Sequence, residues 1–572
     1  MIYLRLFSQD RISLVMTSCM LVCFLGILIA LHFCKKKKEF ISKKWKWICC
    51  IPFAMSLLHL FFLGFKGKIV MSLVYYGGIY IVSALIMLLP YIVNMKYKVV
   101  VEIISVVVVI ILSLYTVAYP AITNSDTRNF SHLSYEESFE AMIGNIKKYD
   151  SVSKWKETDF DKLREEILPK IRKAEEHESP AAFYAALCEF TYYLYDGHSW
   201  VKTGSEQIAK EAEEIMAGND YGFSMVRLDT GETIAVCVEK NSVAEKAGIH
   251  FGTVIKSWNG KEIDKAIEET KCIYTKEYGR WPVEENEEMY KPVFLAGKGE
   301  ETVEVEFIDE TGGRQSLTLS KIGNYRERLE KVAGIIQGKS VLEEKENFYT
   351  EMLNDTVGYI RILEEETTLF EDIPAYISGH NEYAKELLAN KIDELKAKGM
   401  ESLIIDVRNN TGGYTSMVRD WAGMFTKEAF FVDNMAYCEG DETEIVKEEW
   451  VDADGRYADI PTVVLTNSRC VSAGDYLVYC FGKCENVRVA GMTTSCGSSQ
   501  PVGGNCVMTD CIGEVRFPVN WMLEENGDYF IDSKADRISR LPNDVDISFD
   551  YEAAKKMFED GVDYELMKLM DF

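Results

Sequence analysis

Residues 461–483, PTVVLTNSRCVSAGDYLVYCFGK, read as a near-continuous apolar strand, a short turn and a helix that begins just behind Ser472. An apolar run of ~4–8 residues bounded by turn signals is a strand buried on both faces, and such a strand leading into a helix is the unit of a parallel sheet. The turn brings a hydroxyl to the carboxyl edge of the sheet, beside the free N–H groups of a helix start, where negative charge is stabilised. Serine is also among the preferred helix caps. The segment alone therefore leaves two readings of Ser472, a cap or a nucleophile.

Working outward, the order from residue 346 is strand (VGYIRIL, 357–363), helix (380–399), strand (SLIIDVR, 402–408), helix (416–425), the strand and helix around Ser472, and strand (VRVAGM, 487–492). That alternation predicts βαβ units and a mainly parallel sheet over 346–572. The stretch LIIDVRNNTGG (403–413) ends a strand in two glycines. Gly412 and Gly413 let backbone N–H groups turn toward a ligand and, with the N–H of Ala473, form a candidate oxyanion hole. A plain turn explains the same residues.

Upstream, residues 123–215 carry helical patterns, among them TDFDKLREEILPKIRKAEEHE and SPAAFYAALCEFTYYLYDGHS, the second opened by Ser179 and Pro180. From 216 to 325 the period switches to short strands, such as GFSMVRL, TIAVCVE and VEVEFID, with SVAEKAG as an intervening helix. A linker rich in Glu and Lys follows over 326–345.

Charge divides the chain sharply. Residues 1–122 hold thirteen Lys and Arg against three Asp and Glu, so the net charge of −27 splits into +10 there and −37 over the rest. The acidic part argues against nucleic acid as a partner. The first 122 residues contain four apolar stretches of about 20 residues, each long enough to cross a bilayer, and are expected to be four transmembrane helices embedded in lipid. The first has no small-residue cleavage site, and the loop KKKKEFISKKWK after it holds seven Lys. Positive loops stay inside, which puts residue 123 onward outside the cell membrane. A chain of 572 residues with 47% hydrophobic content suits several packed domains.

The order LIIDVRNNTGG, then PTVVLTNSRCVSAGDYLVYCF, then VRVAGMTTSCGSS resembles the carboxyl-terminal processing, or tail-specific, serine peptidases, a family that includes the tricorn core. The resemblance covers 130–572 and implies an α/β core of the ClpP/crotonase-like kind, a peptide or protein substrate and no cofactor. The stretch VEKNSVAEKAGIHFGTVIKSWNGKEI resembles a PDZ domain, with Thr253 where an acidic residue is usual. Tyr221, Gly222, Phe223 and Ser224 then stand where a PDZ loop receives a peptide's terminal carboxylate and pairs it as an added strand.

The departure lies in the base. Many tail-specific peptidases use a lysine about 25 residues beyond the serine, and Gly497 stands there. Lys483, eleven residues along the helix, is ~16 Å from the serine and no substitute. The segment YLYDGHSW (193–200) resembles the DGHS stretch of the histidine-using, tricorn-like branch, which makes His198 the expected base and Ser199 a supporting residue. The same branch implies an orienting acid shortly before a proline, here Asp536 in KADRISRLPNDVDIS, with Asp532 and Asp544 as lesser candidates. The six cysteines between 470 and 511 are irregularly spaced, so no metal is assigned, and a pairing such as Cys506 with Cys511 suits an oxidising compartment. The expected protein is a membrane-anchored extracytoplasmic endopeptidase. A catalytically silent peptide-binding or sensor protein is the alternative that the missing lysine motivates.

Overall fold

The computed structural model describes residues 126–275, 284–338, 347–367, 380–439, 442–531, 533–534, 537–538 and 542–570. The four apolar spans expected before residue 123 lie outside them; among the described residues no helix is long and apolar enough to cross a membrane. The chain divides into two compact units, the smaller formed by residues up to Lys148 with Gly503–Glu514, the larger by Tyr149–Val502 with Val515–Phe572. In the smaller, strand Asp126–Asn129 pairs in parallel with residues 504–507. Asn145 donates to the buried sulfur of Cys506. Cys506 and Cys511 do not form the expected disulfide with each other, Cys506 being turned inward on Asn145 and Cys511 exposed.

The larger unit begins with two helices. In α1, Phe160–Glu176, Asp159 accepts the N–H of Lys162, and in α2, Pro180–Tyr192, Ser179 accepts that of Ala182 with proline in the first turn. These are the expected N-cap signals, each contributing about 1 kcal/mol. α2 is buried along most of its length and delivers the chain to the turn at 195–199. A β-rich module follows: β1, Ser224–Arg227, pairs antiparallel with β2, Thr233–Val236, while β3, Ile255–Trp258, pairs with β4, Thr302–Ile308, which pairs with β5, Arg314–Ser320. The Ala235 N–H donates to Thr253, joining the two groups of strands. Tyr221 and Phe223 stack edge-on against Trp258 at 6.0 Å in its core.

The site is positioned by a six-stranded sheet. Its first strand, β6 (Phe348–Met352), runs antiparallel to β7 (Val357–Ile362). After α3 (Glu382–Ala397) comes β8 (Ser402–Asp406), parallel to β7. Then come α4 (Thr415–Gly423) and a long hairpin of β9 (Phe430–Glu439) and β10 (Glu442–Val451) that sequence periodicity passes over. β11 (Thr462–Leu465) returns to the sheet beside β8, followed by α5 (Ala473–Gly482) and β12 (Val487–Gly491). β13 (Trp521–Leu523) joins the hairpin, β14 (Val545–Asp546) closes the sheet on β12, and α6 (Tyr564–Leu569) ends the described chain. Strands β7, β8, β11, β12 and β14 are mutually parallel, as expected.

Parallel register decides where function can sit. Leu403 lies opposite Thr462 and Asp406 opposite Leu465, so β8 and β11 end level with each other at one edge. The glycine loop after β8 and the serine turn after β11 leave from that edge side by side, the crevice where open α/β sheets bind ligands. The Val471 N–H donates to Asn410 O at 3.0 Å, joining them directly. Beneath, Leu388, Ile392, Leu403, Ile405, Trp421, Leu477 and Phe481 form a fully buried core, each contributing ~1.5–3 kcal/mol.

Candidate active site

Ser472 stands at the mouth of α5 with φ 66° and ψ −124°, a backbone conformation that side chains with a Cβ rarely adopt. Its side chain makes no capping hydrogen bond, although a serine cap is what the sequence equally allowed. The hydroxyl is thus not spent on the helix. A sharp, strained strand-to-helix turn is how a nucleophilic serine is exposed above a sheet.

The glycine loop explains itself at Gly412. A Cβ there would lie 2.5 Å from Ser472 Cβ and 2.9 Å from its Oγ, and the residue has φ +88°, so only glycine lets this loop approach the serine. Its N–H is turned inward, donating to Asn410 Oδ1 at 2.8 Å. Gly413 lies opposite Glu365 in an isolated parallel bridge that uses the Gly412 carbonyl and the Tyr414 N–H, leaving the Gly413 N–H out of the pairing. Of the two glycines, Gly413 rather than Gly412 has an N–H to offer, together with that of Ala473 at the helix start. Under the loop, Asn410 donates to Glu365 Oε1 at 2.7 Å, while Oε2 has no partner. Burial pushes the Glu365 carboxyl up to about 8, so it is held protonated at neutral pH.

His198 is buried in the turn after α2, with its N–H on Asp196 Oδ1 at 2.7 Å. The residue before it, Gly197, packs so closely that a Cβ would reach 3.2 Å from Val471, the neighbour of Ser472. One residue holds both candidates: Ser498 accepts the Ser472 N–H on its carbonyl at 3.1 Å, and its hydroxyl lies 3.3 Å from His198 Nδ1. Ser498 is itself fixed from below, where the Asp475 carboxylate accepts the N–H groups of Gly497 at 2.8 Å and Ser498 at 3.0 Å. Burial raises Asp475 to about 7 against these hydrogen bonds, which favour its charged form.

Other expected residues fall differently. Ser199 is buried with its hydroxyl unpartnered, lining a cavity of about 40 Å³ with Gly197, Val471 and Cys496. Asp536 and Asp532 lie outside the described residues. Asp544 is committed to the sheet, where it accepts the Val489 N–H at 2.8 Å. In the β-rich module, Tyr221, Phe223 and Ser224 point inward, and Gly222, at φ +94°, donates its N–H to Asp220, which is paired in turn with Arg328. Sequence reading passed over Asn410, Glu365, Asp475 and Ser498. A signal existed for two of them: Ser498 follows the glycine that replaces the lysine, and Asp475 lies one helical turn beyond Ser472.

Residues 356–534 match peptidase family S41. The chain is 25% identical over 291 residues to the carboxy-terminal processing protease CtpA of Bacillus subtilis, covering 50% of each, so it spans about half the length of that curated relative. Among solved structures, mature CPAF is 14% identical with a TM-score of 0.49, over 76% of this chain and 96% of that one. The photosystem II D1 C-terminal processing protease is 17% identical with a TM-score of 0.31, over 75% and 98%. The glycine loop, the serine turn and Ser498 all fall within the segment that matches peptidase family S41.

Proposed function

We propose that this protein is a membrane-anchored extracytoplasmic serine endopeptidase in which Ser472 is the nucleophile and His198 its base. Its main support is the turn at Ser472: a strained backbone, a hydroxyl unused as a cap, and a glycine loop that only glycine lets so close. Ser472 Oγ attacks the scissile carbonyl as His198 takes its proton, and the N–H groups of Gly413 and Ala473 receive the developing oxyanion. Collapse breaks the C–N bond, the leaving amine takes the proton from His198, and water then releases the acyl group by the same route. The module at 216–325 acts as a PDZ domain that presents an extended segment of the substrate, and the apolar first 122 residues hold the enzyme in the bilayer.

A fluorophosphonate reacts only with an activated serine. Mass-spectrometric mapping on the full chain is expected to find the label on Ser472, and Ser472→Ala and His198→Ala to abolish it. An unlabelled Ser472 in folded protein that still binds peptides would replace the enzyme with the peptide-binding reading.

A further inference from the structure

Three hydrogen bonds converge on the hydroxyl of Ser498. The Gly197 N–H donates to it at 3.1 Å, it donates to Asp196 Oδ2 at 3.1 Å, and His198 Nδ1 lies 3.3 Å away. A hydroxyl has one proton and two lone pairs. The carboxylate takes the proton and Gly197 fills one lone pair, so the other is left for a proton on His198 Nδ1. The arrangement therefore selects the tautomer with Nδ1 protonated and Nε2 bare, the form that a base acting through Nε2 requires.

Asp196 is built to stay in place. It is fully buried, its Oδ1 accepts the His198 N–H at 2.7 Å, and Lys156 Nζ lies 3.2 Å from Oδ2 with both side chains shielded from water. Lys156 is held in turn by the carbonyl of Tyr195. Removing either partner of a buried pair leaves an uncompensated charge, so the pair is a fixed fixture. Two further acids border the cluster: Asp150, whose carboxyl is pushed up to about 8 by burial and then by Asp196, and Asp475, which pins the Ser498 backbone.

We propose that Asp196, acting through the Ser498 hydroxyl, orients His198 and stabilises its protonated form, so that the orienting acid comes from the same turn as the base. This rests on the proposed roles of Ser472 and His198. Asp196 and Ser498 are positioning residues, since neither touches the reacting atoms.

The test is the rate of fluorophosphonate labelling of Ser472 across pH, in the full chain. Ser498→Ala is expected to slow labelling about a hundredfold or more and to lower the pH midpoint, because the imidazolium loses its acceptor. Ser498→Thr, which keeps the hydroxyl, is expected to restore the rate to within about threefold. Asp196→Asn is expected to slow labelling as well, since an amide can donate to the hydroxyl and favour the opposite tautomer. Unfolding midpoints check that each variant is folded, and Ser498→Cys, of similar size but a poor acceptor, carries the test if the alanine variant fails to fold. A Ser498→Ala chain that labels at the wild-type rate with an unshifted midpoint overturns this inference alone. A wild-type chain whose Ser472 does not label overturns the proposed function, and this inference with it.

Discussion

A serine at φ 66° and ψ −124° sits where glycine is comfortable and a Cβ is not, and strain of this kind costs ~1–3 kcal/mol. Relieving it gives a stability test that needs no substrate. Ser472→Gly is expected to raise the free energy of unfolding by ~1 kcal/mol over the parent, whereas Ser472→Ala keeps the Cβ and gains nothing; both lose labelling. Denaturant midpoints of the three proteins decide it, and equal midpoints for the glycine and alanine variants would mean that the turn is unstrained. The sequence could place Ser472 before a helix but could not choose between cap and nucleophile, because that choice lies in a backbone angle and an unmade hydrogen bond. It could single out His198 only by resemblance. Its partner Ser498 is 300 residues away along the chain, a separation that no local pattern bridges.

At the scale of elements, the ends of β8 and β11 must stay level for the glycine loop to reach the serine. Arg408, 1% exposed just beyond β8, fixes that edge: its guanidinium bonds Asp406 at 2.7 Å, Asp563 at 2.7 Å and Glu565 at 3.0 Å, tying the sheet to α6. Asp406 also accepts from Tyr359 at 2.8 Å, which carries the clamp across to β7. Arg408→Met would leave three carboxylates without their cation, and is expected to destabilise the protein by ~3–5 kcal/mol. Equilibrium denaturation measures this, and a loss below ~1 kcal/mol would mean that α6 is held by its apolar contacts alone. The parallel core was legible because β8 and β11 are buried on both faces and read as unbroken apolar runs. The β9–β10 hairpin was not. Its inward positions include Asp433, which meets Tyr476 at 2.8 Å, and Glu449, which meets Arg419 at 3.1 Å. A strand whose buried face is built of acids paired with a phenol and a guanidinium shows no alternation of apolar and polar residues.

For the larger unit as a whole, the buried acids set how stability depends on pH. Burial is the largest cause at each: Asp150 and Glu365 are pushed up to about 8, Asp433 and Asp475 to about 7. In the unfolded chain such groups lose their protons near pH 4. Between pH 4 and 8 the folded protein therefore binds more protons than the unfolded one, and stability falls as pH rises through that window, levelling above 8. The slope is at most ~1.4 kcal/mol per pH unit for each such proton. Asp309, held down to about 2 by hydrogen bonds from Thr311 and Gln315, works in the opposite sense below pH 4, where its stabilisation is lost as it protonates. From these groups the greatest stability is thus expected near pH 4. Labelling of Ser472 needs a neutral imidazole and should therefore rise with pH, in the direction in which the fold loses stability. Unfolding free energies of the full chain from pH 4.5 to 8.5, with Glu365→Gln alongside, check this. The variant keeps an acceptor for Asn410 but no ionisable group, so its curve should be shallower by up to one proton and cross above the parent toward pH 8. A parent curve that is flat or rising over this range would mean that the buried carboxyls ionise without cost to the fold.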